Sequence, residues 1–148
     1  IVDDTIVSKG TVINFFLDRV LAGETLTVYE PGTQARNYIH VKDVVRAYVR
    51  SAERLAEQLA SGETGVERYE IASDEHPSIM TVAETIREIA DEYGRDVDVE
   101  LVENPRAGDE TLVSEFDVDT SAARDTLGWE VRHSVEKTVR DRLDRRLD

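Results

Sequence analysis

Three glycines do most to limit what this chain can fold into, because each stands where a helically spaced apolar pattern stops. Val12, Phe15, Phe16 and Val20 recur on one helix face and Gly23 follows, so a helix is predicted from about Thr11 to Ala22. Val82, Ile86, Ile89, Ala90 and Tyr93 form a second stripe that Gly94 ends. Its start reads as a capping box in Thr81-Val82-Ala83-Glu84, where hydroxyl and carboxylate would satisfy reciprocal backbone donors. Gly128 closes a short helix for which Asp119 is the expected N-cap.

Between these helices lie short β-prone runs. Leu26 and Val28 form one, and Tyr38, Ile39 and Val41 form another across the turn-rich EPGTQAR, which makes that loop a place for function. ERYEIAS reads as β-like, and Val97, Val99 and Leu101 alternate as a half-buried strand should. Val44, Val45, Tyr48, Val49, Ala52, Leu55 and Leu59 place one apolar stripe on a long helix. Ser134 is positioned to cap a last helix carrying Val135, Val139, Leu143 and Leu147 on one face, its arginines and acids making a solvated face. The expected class is α/β, short strands alternating with helices. The one loose stretch, Ser61 to Gly65, is too short for a linker, so residues 1–148 read as a single domain. A chain of this size buries roughly 68–70% of its unfolded surface, enough for one core.

Charge excludes several functions. Asp and Glu number 32 against 18 Lys and Arg, a formal net charge of −14, which argues against nucleic acid and against a membrane surface as partners. The basic set is 15 Arg and 3 Lys, so a self-repelling acidic surface that salt would screen suggests a halophilic source. Without cysteine there is no thiolate metal site, disulfide or cysteine nucleophile. No apolar run approaches the ~18 residues of a bilayer span, and IVDDTIV lacks a basic signal-peptide region, so a cytoplasmic protein is expected.

Familiar motifs are missing. His40, His76 and His133 have no metal-ligand spacing and read as surface or loop residues; no metal site is expected. The eight glycines allow neither G-x-G-x-x-G nor a Walker loop. Tyr38 and Lys42 match Tyr-x-x-x-Lys, but in a strand they would stand roughly 13 Å apart, too far for lysine to tune the phenol.

Three segments in order carry the strongest signal: LTVYEPGTQARNYIHVKDVVRAYV, then YEIASDEHPSIMTVAETIREIA, then PRAGDE followed by DTSAARDTLGWEV. They resemble the C-terminal half of the extended short-chain dehydrogenase/reductase family, the NAD-dependent nucleotide-sugar epimerases and dehydratases. The first resembles that family's Gln-x-Arg stretch, and the last its Arg-Pro-Gly-Asp loop and Leu-Gly-Trp turn. The resemblance spans about residues 11 to 147 and implies a substrate-binding portion. NAD would then be bound by an N-terminal Rossmann half absent from this chain, about 150 residues at roughly 30 per βαβ unit. A start at Ile1 rather than methionine fits an excised fragment. In the intact enzyme, the missing half's tyrosine would remove a hydroxyl proton as hydride passes to nicotinamide, so no catalytic residue is expected here. Relatives pair through helices of that half, which implies a monomeric fragment and a homodimeric whole.

Two residues stand out on chemistry as well. A nucleoside-diphosphate sugar presents phosphate oxygens that guanidinium forks meet bidentately, and Arg36 and Arg106 each lie on a glycine-containing loop beside a strand end. The resemblance assigns both to the diphosphate. It also matches Val28 and Tyr29 to the strand against which the base lies, whereas hydrophobicity alone would put both in the core. Some positions depart from the family pattern. Glu30 stands for Gly, Asn37 for Asp, Ala107 for Pro, and Glu70 for an asparagine that often faces the phosphates. A carboxylate there would repel a diphosphate, so a non-catalytic binding or assembly module is the alternative.

Overall fold

The computed structural model describes residues 11–105 and 118–147, and these form helices and two short strands in an α/β arrangement. The first helix, α1, spans Val12–Ala22 and stops where its pattern predicts. Gly23 takes a left-handed φ of 69°, and the N–H groups of Gly23 and Glu24 return to the carbonyls of Val20 and Arg19. Strand β1, Leu26–Tyr29, pairs in parallel with β2, Val99–Val102, Leu26 lying opposite Val99 and Tyr29 opposite Val102. A parallel pair needs a crossover. Here it contains two helices, α2 (Val41–Ser61) and α3 (Ile79–Glu92). After β2 come α4 (Ser121–Leu127) and α5 (Val135–Leu147).

The main core joins Phe16, Leu17 and Val20 of α1 to Val28 of β1, Ile86 and Ile89 of α3, and Val139 and Leu143 of α5. A smaller cluster, Ala47, Ala123, Leu127 and Trp129, holds α2 against α4. Near the C-terminus the N-cap of α4 is Thr120 rather than the expected Asp119, which stands one residue earlier and whose Oδ1 accepts from the Ser121 N–H at 2.9 Å; Gly128 is left-handed, and Ser134 Oγ accepts from the Lys137 N–H at 3.1 Å.

Three further local readings are corrected. Tyr38, Ile39 and Val41 form no strand: residues 36–40 run alongside 73–77 without a continuing ladder, and Val41 already begins α2. Asn37 clamps the Ser73 backbone at both its N–H and its carbonyl, 3.0 and 2.8 Å, and His40 Nδ1 accepts from the Lys42 N–H as the N-cap of α2. Tertiary hydrogen bonds override the β propensity of this run. ERYEIAS is also not a strand, because among the described residues no backbone ladder pairs with it. The cap of α3 is Ser78, not Thr81: Ser78 Oγ accepts from the Thr81 N–H at 3.1 Å, placing Thr81 within the first turn.

The stripe on α2 is real, but it faces outward. Asp43 and Ala47 are the buried residues of this helix, whereas Val41, Val45, Tyr48, Val49, Leu55 and Leu59 are all exposed.

Candidate functional site

The loop after β1 is held to the start of α3 by its own carbonyls. Gly32 and Gln34 accept from the N–H groups of Met80 and Ile79 at 3.0 and 3.1 Å, so two donors that a helix N-terminus leaves free are satisfied by this loop. Gly32 makes the turn possible, with φ at 73°. A Cβ there would stand 3.2 Å from both Val28 Cγ1 and Leu101 Cδ1.

That turn delivers Arg36 to the mouth of a cavity of about 150 Å³ between α1 and β1. Phe15, Val28, Tyr29 and Arg36 are among its lining residues, so three of the four residues singled out from the sequence come together. Val28 is buried and Tyr29 is 56% exposed. The Arg36 guanidinium donates only a long 3.5 Å contact to the Ala35 carbonyl and has no carboxylate partner among the described residues. It is an exposed cation beside an aromatic wall. Arg106 lies outside the described residues, as do Ala107, Asp109 and Glu110.

Arg36 also lines a larger neighbouring cavity of about 570 Å³, with Asn14, Tyr38, His40, His133 and Arg142. The Tyr38 hydroxyl is buried without a hydrogen-bond partner, and burial pushes its pKa up against the opposing pull of Arg36. Tyr38 precedes α2 and Lys42 lies in its first turn, so the two do not share a helix face. His40 and His133 stack with ring centroids 4.3 Å apart. Burial, then the neighbouring His133, lowers the His40 pKa.

Sequence reasoning missed Asp43, which supports this wall. Fully buried, its carboxylate accepts from Arg46, from the Arg132 and His133 N–H groups, and lies 2.9 Å from His133 Nδ1. Burial alone would raise this carboxyl; the hydrogen bonds, led by His133, hold it below the usual range. Apart from Arg46, its partners stand far along the chain, so only an acid in the first turn of α2 hinted at it.

The departures from the family pattern have plain locations. Asn37 is the Ser73 clamp, Glu30 is exposed, and Glu70 is exposed and lines neither cavity. Among the described residues no group of three His, Asp or Glu could hold a metal ion, and no helix is long and apolar enough to cross a membrane.

The sequence model of the NAD dependent epimerase/dehydratase family matches residues 7–72. Over 124 residues the chain is 32% identical to UDP-glucuronic acid decarboxylase 6 of Arabidopsis thaliana, covering 84% of this chain and 32% of that protein. It is 29% identical over 143 residues to UDP-glucose 4-epimerase of Caenorhabditis elegans, covering 90% and 38% respectively. Its fold matches the crystal structure of UDP-glucose 4-epimerase with UDP-glucose from Thermotoga maritima, with a TM-score of 0.69 at 25% identity, covering 96% of this chain and 42% of that one. The chain therefore spans roughly a third to two-fifths of the length of these relatives. Sequence and fold agree: this chain belongs to the NAD-dependent epimerase/dehydratase family.

Proposed function

We propose that this chain is the part of an NAD-dependent nucleotide-sugar epimerase or dehydratase that holds the nucleotide sugar. The observation that carries this reading is the shared cavity of Val28, Tyr29 and Arg36. The apolar wall of Phe15 and Tyr29 suits a flat base, and the unpaired guanidinium beside it suits a diphosphate, to which a charge-assisted hydrogen bond contributes roughly 1.5–3 kcal/mol. Arg106 would approach from the second loop. The Thermotoga maritima relative was crystallised with UDP-glucose, which supports a nucleoside-diphosphate sugar as ligand. Binding energy from the nucleotide, remote from the reacting sugar, would position that sugar for chemistry done elsewhere in the protein.

The described residues do not fit NAD. A dinucleotide pyrophosphate needs a glycine turn opening a helix N-terminus, and here the N-caps are Thr11, His40, Ser78 and Thr120, while Gly23, Gly62 and Gly128 stand at helix C-termini. NAD and hydride transfer are accordingly assigned to a Rossmann portion outside these residues, and pairing into a homodimer to the same portion. The module alternative rested on Glu70 and Glu30, which are both exposed and line neither cavity.

Calorimetric titration tests the division of labour. UDP-glucose is expected to bind, and NAD to give no heat with these 148 residues. Micromolar NAD affinity, or no response to any nucleoside-diphosphate sugar in the intact protein, would overturn it.

A further inference from the structure

The backbone that carries Arg36 is seated by the side chain of its neighbour. The Asn37 carboxamide meets the Ser73 backbone twice: Nδ2 donates to the Ser73 carbonyl at 2.8 Å, and Oδ1 accepts from the Ser73 N–H at 3.0 Å. Ser73 is 7% exposed, and neither of these backbone groups has another hydrogen bond among the described residues. The backbone bonds on either side are long. They run from the Arg36 N–H to the Pro77 carbonyl and from the Tyr38 N–H to the Glu75 carbonyl, both at 3.4 Å. The short bonds that fix this turn are therefore the two made by Asn37.

The far side of the clamp is itself held. Ser73 Oγ donates to the Glu75 carbonyl at 2.8 Å, and Glu75 Oε2 accepts from the Val135 N–H at 2.7 Å at the start of α5. A carboxylate at position 37 would not reproduce the clamp. It would accept from the Ser73 N–H but set a second acceptor against the Ser73 carbonyl. It would also place a negative charge one residue from Arg36, whose guanidinium makes only the long contact to the Ala35 carbonyl.

We propose that Asn37 is a positioning residue for the ligand's anionic group. Its uncharged carboxamide fixes the turn that presents Arg36 and withholds the negative charge that would occupy the guanidinium, so Arg36 is held in place and left free. Both properties are needed at once, and of the side chains that could sit here a carboxamide supplies both: donor and acceptor on neighbouring atoms, with no charge. A cation ordered before the ligand arrives spares the ligand the cost of ordering it. This assignment rests on the reading of the cavity between α1 and β1 as a nucleoside-diphosphate site.

The test compares Asn37→Ala and Asn37→Asp with the parent in the intact protein. Each is titrated with UDP, which would reach Arg36 through its diphosphate, and with uridine, which has none. Asn37→Ala should weaken UDP by about two- to tenfold, as when a long side chain must be ordered on binding, and leave uridine unchanged. Asn37→Asp should weaken UDP by about a further fivefold in about 0.1 M KCl. That excess over Asn37→Ala should vanish in about 1 M KCl, where the Debye length is near 3 Å. The nearly isosteric pair Asn37→Gln and Asn37→Glu repeats the comparison where aspartate lowers the melting temperature. Equal loss of UDP and uridine in both variants would make Asn37 a structural clamp alone and overturn the proposal. Asn37→Asp binding UDP as tightly as Asn37→Ala at low salt overturns it too, as does an excess that salt leaves unchanged. A parent that binds neither compound defeats the nucleotide reading itself, and this assignment falls with it.

Discussion

Asp43 and His133 are joined twice: the His133 N–H donates to Asp43 Oδ2 at 3.1 Å, and His133 Nδ1 lies 2.9 Å from Oδ1. Trp129 Nε1 donates to the Asp43 backbone carbonyl at 2.8 Å, and Arg46 pairs with the carboxylate at the same distance. One buried acid thus ties α2 to the segment leading into α5. Removing it leaves two backbone donors and a ring nitrogen unpaired. Asp43→Ala should therefore destabilise the protein by about 3 kcal/mol or more, and Asp43→Asn by less, in urea denaturation. A loss below about 1 kcal/mol for the alanine variant would contradict this account of the hub.

The same groups set a pH dependence. The Asp43 carboxyl is lowered in the fold, so its contribution is present above the unfolded value near 3.9 and is lost as pH falls through the folded value. His40 is also lowered, by burial and then by His133, so the unfolded chain takes up its proton first. Stability should therefore decline as pH falls below about 6.5. Melting temperature from pH 7 to pH 3 should fall in both ranges. Replacement His40→Asn should flatten the upper one and Asp43→Asn the lower. A protein that gains stability on acidification contradicts both assignments.

Gly32→Ala probes the loop that delivers Arg36. The left-handed φ and the 3.2 Å approaches to Val28 and Leu101 both oppose a methyl group. A cost of about 2 kcal/mol is expected, with weaker ligand binding because the turn and the cavity floor share Val28. An unchanged melting temperature would show that the turn tolerates a side chain.

What was legible in the sequence was local. The stripes of α1, α3 and α5, the stops at Gly23, Gly94 and Gly128, and the strands around Val28 and Val99 follow from spacing alone. What was not legible depends on partners far along the chain. Tyr38 and Ile39 have β-prone side chains, yet the Asn37–Ser73 clamp and the His40 cap decide their backbone. The apolar stripe of α2 was readable as a stripe, but periodicity does not say which way a face points. In the candidate site, Arg36, Val28 and Tyr29 could be found because they flank one short turn. Asp43 could not, since apart from Arg46 its carboxylate's partners, Arg132 and His133, are about 90 residues away.

Salt should stabilise the fold. With a net charge of −14, screening relieves self-repulsion, and the Debye length is already near 10 Å at 0.1 M. Melting temperature should rise with KCl from about 0.1 M upward. A flat or falling curve would remove the halophilic reading.

The most direct test of the nucleotide-sugar assignment is calorimetric titration of UDP-glucose into the intact protein and its Arg36→Ala and Arg106→Ala variants. Loss of a charge-assisted hydrogen bond worth roughly 1.5–3 kcal/mol should raise the Kd by about 10- to 150-fold for each, less than additively if both arginines grip one diphosphate. Arg36→Lys should recover little, because it keeps the charge but loses the planar fork. Melting temperatures should stay at the parent value. If Arg36→Ala binds as tightly as the parent, or binds weakly only in step with a lower melting temperature, Arg36 is structural and the cavity between α1 and β1 is not the nucleotide site.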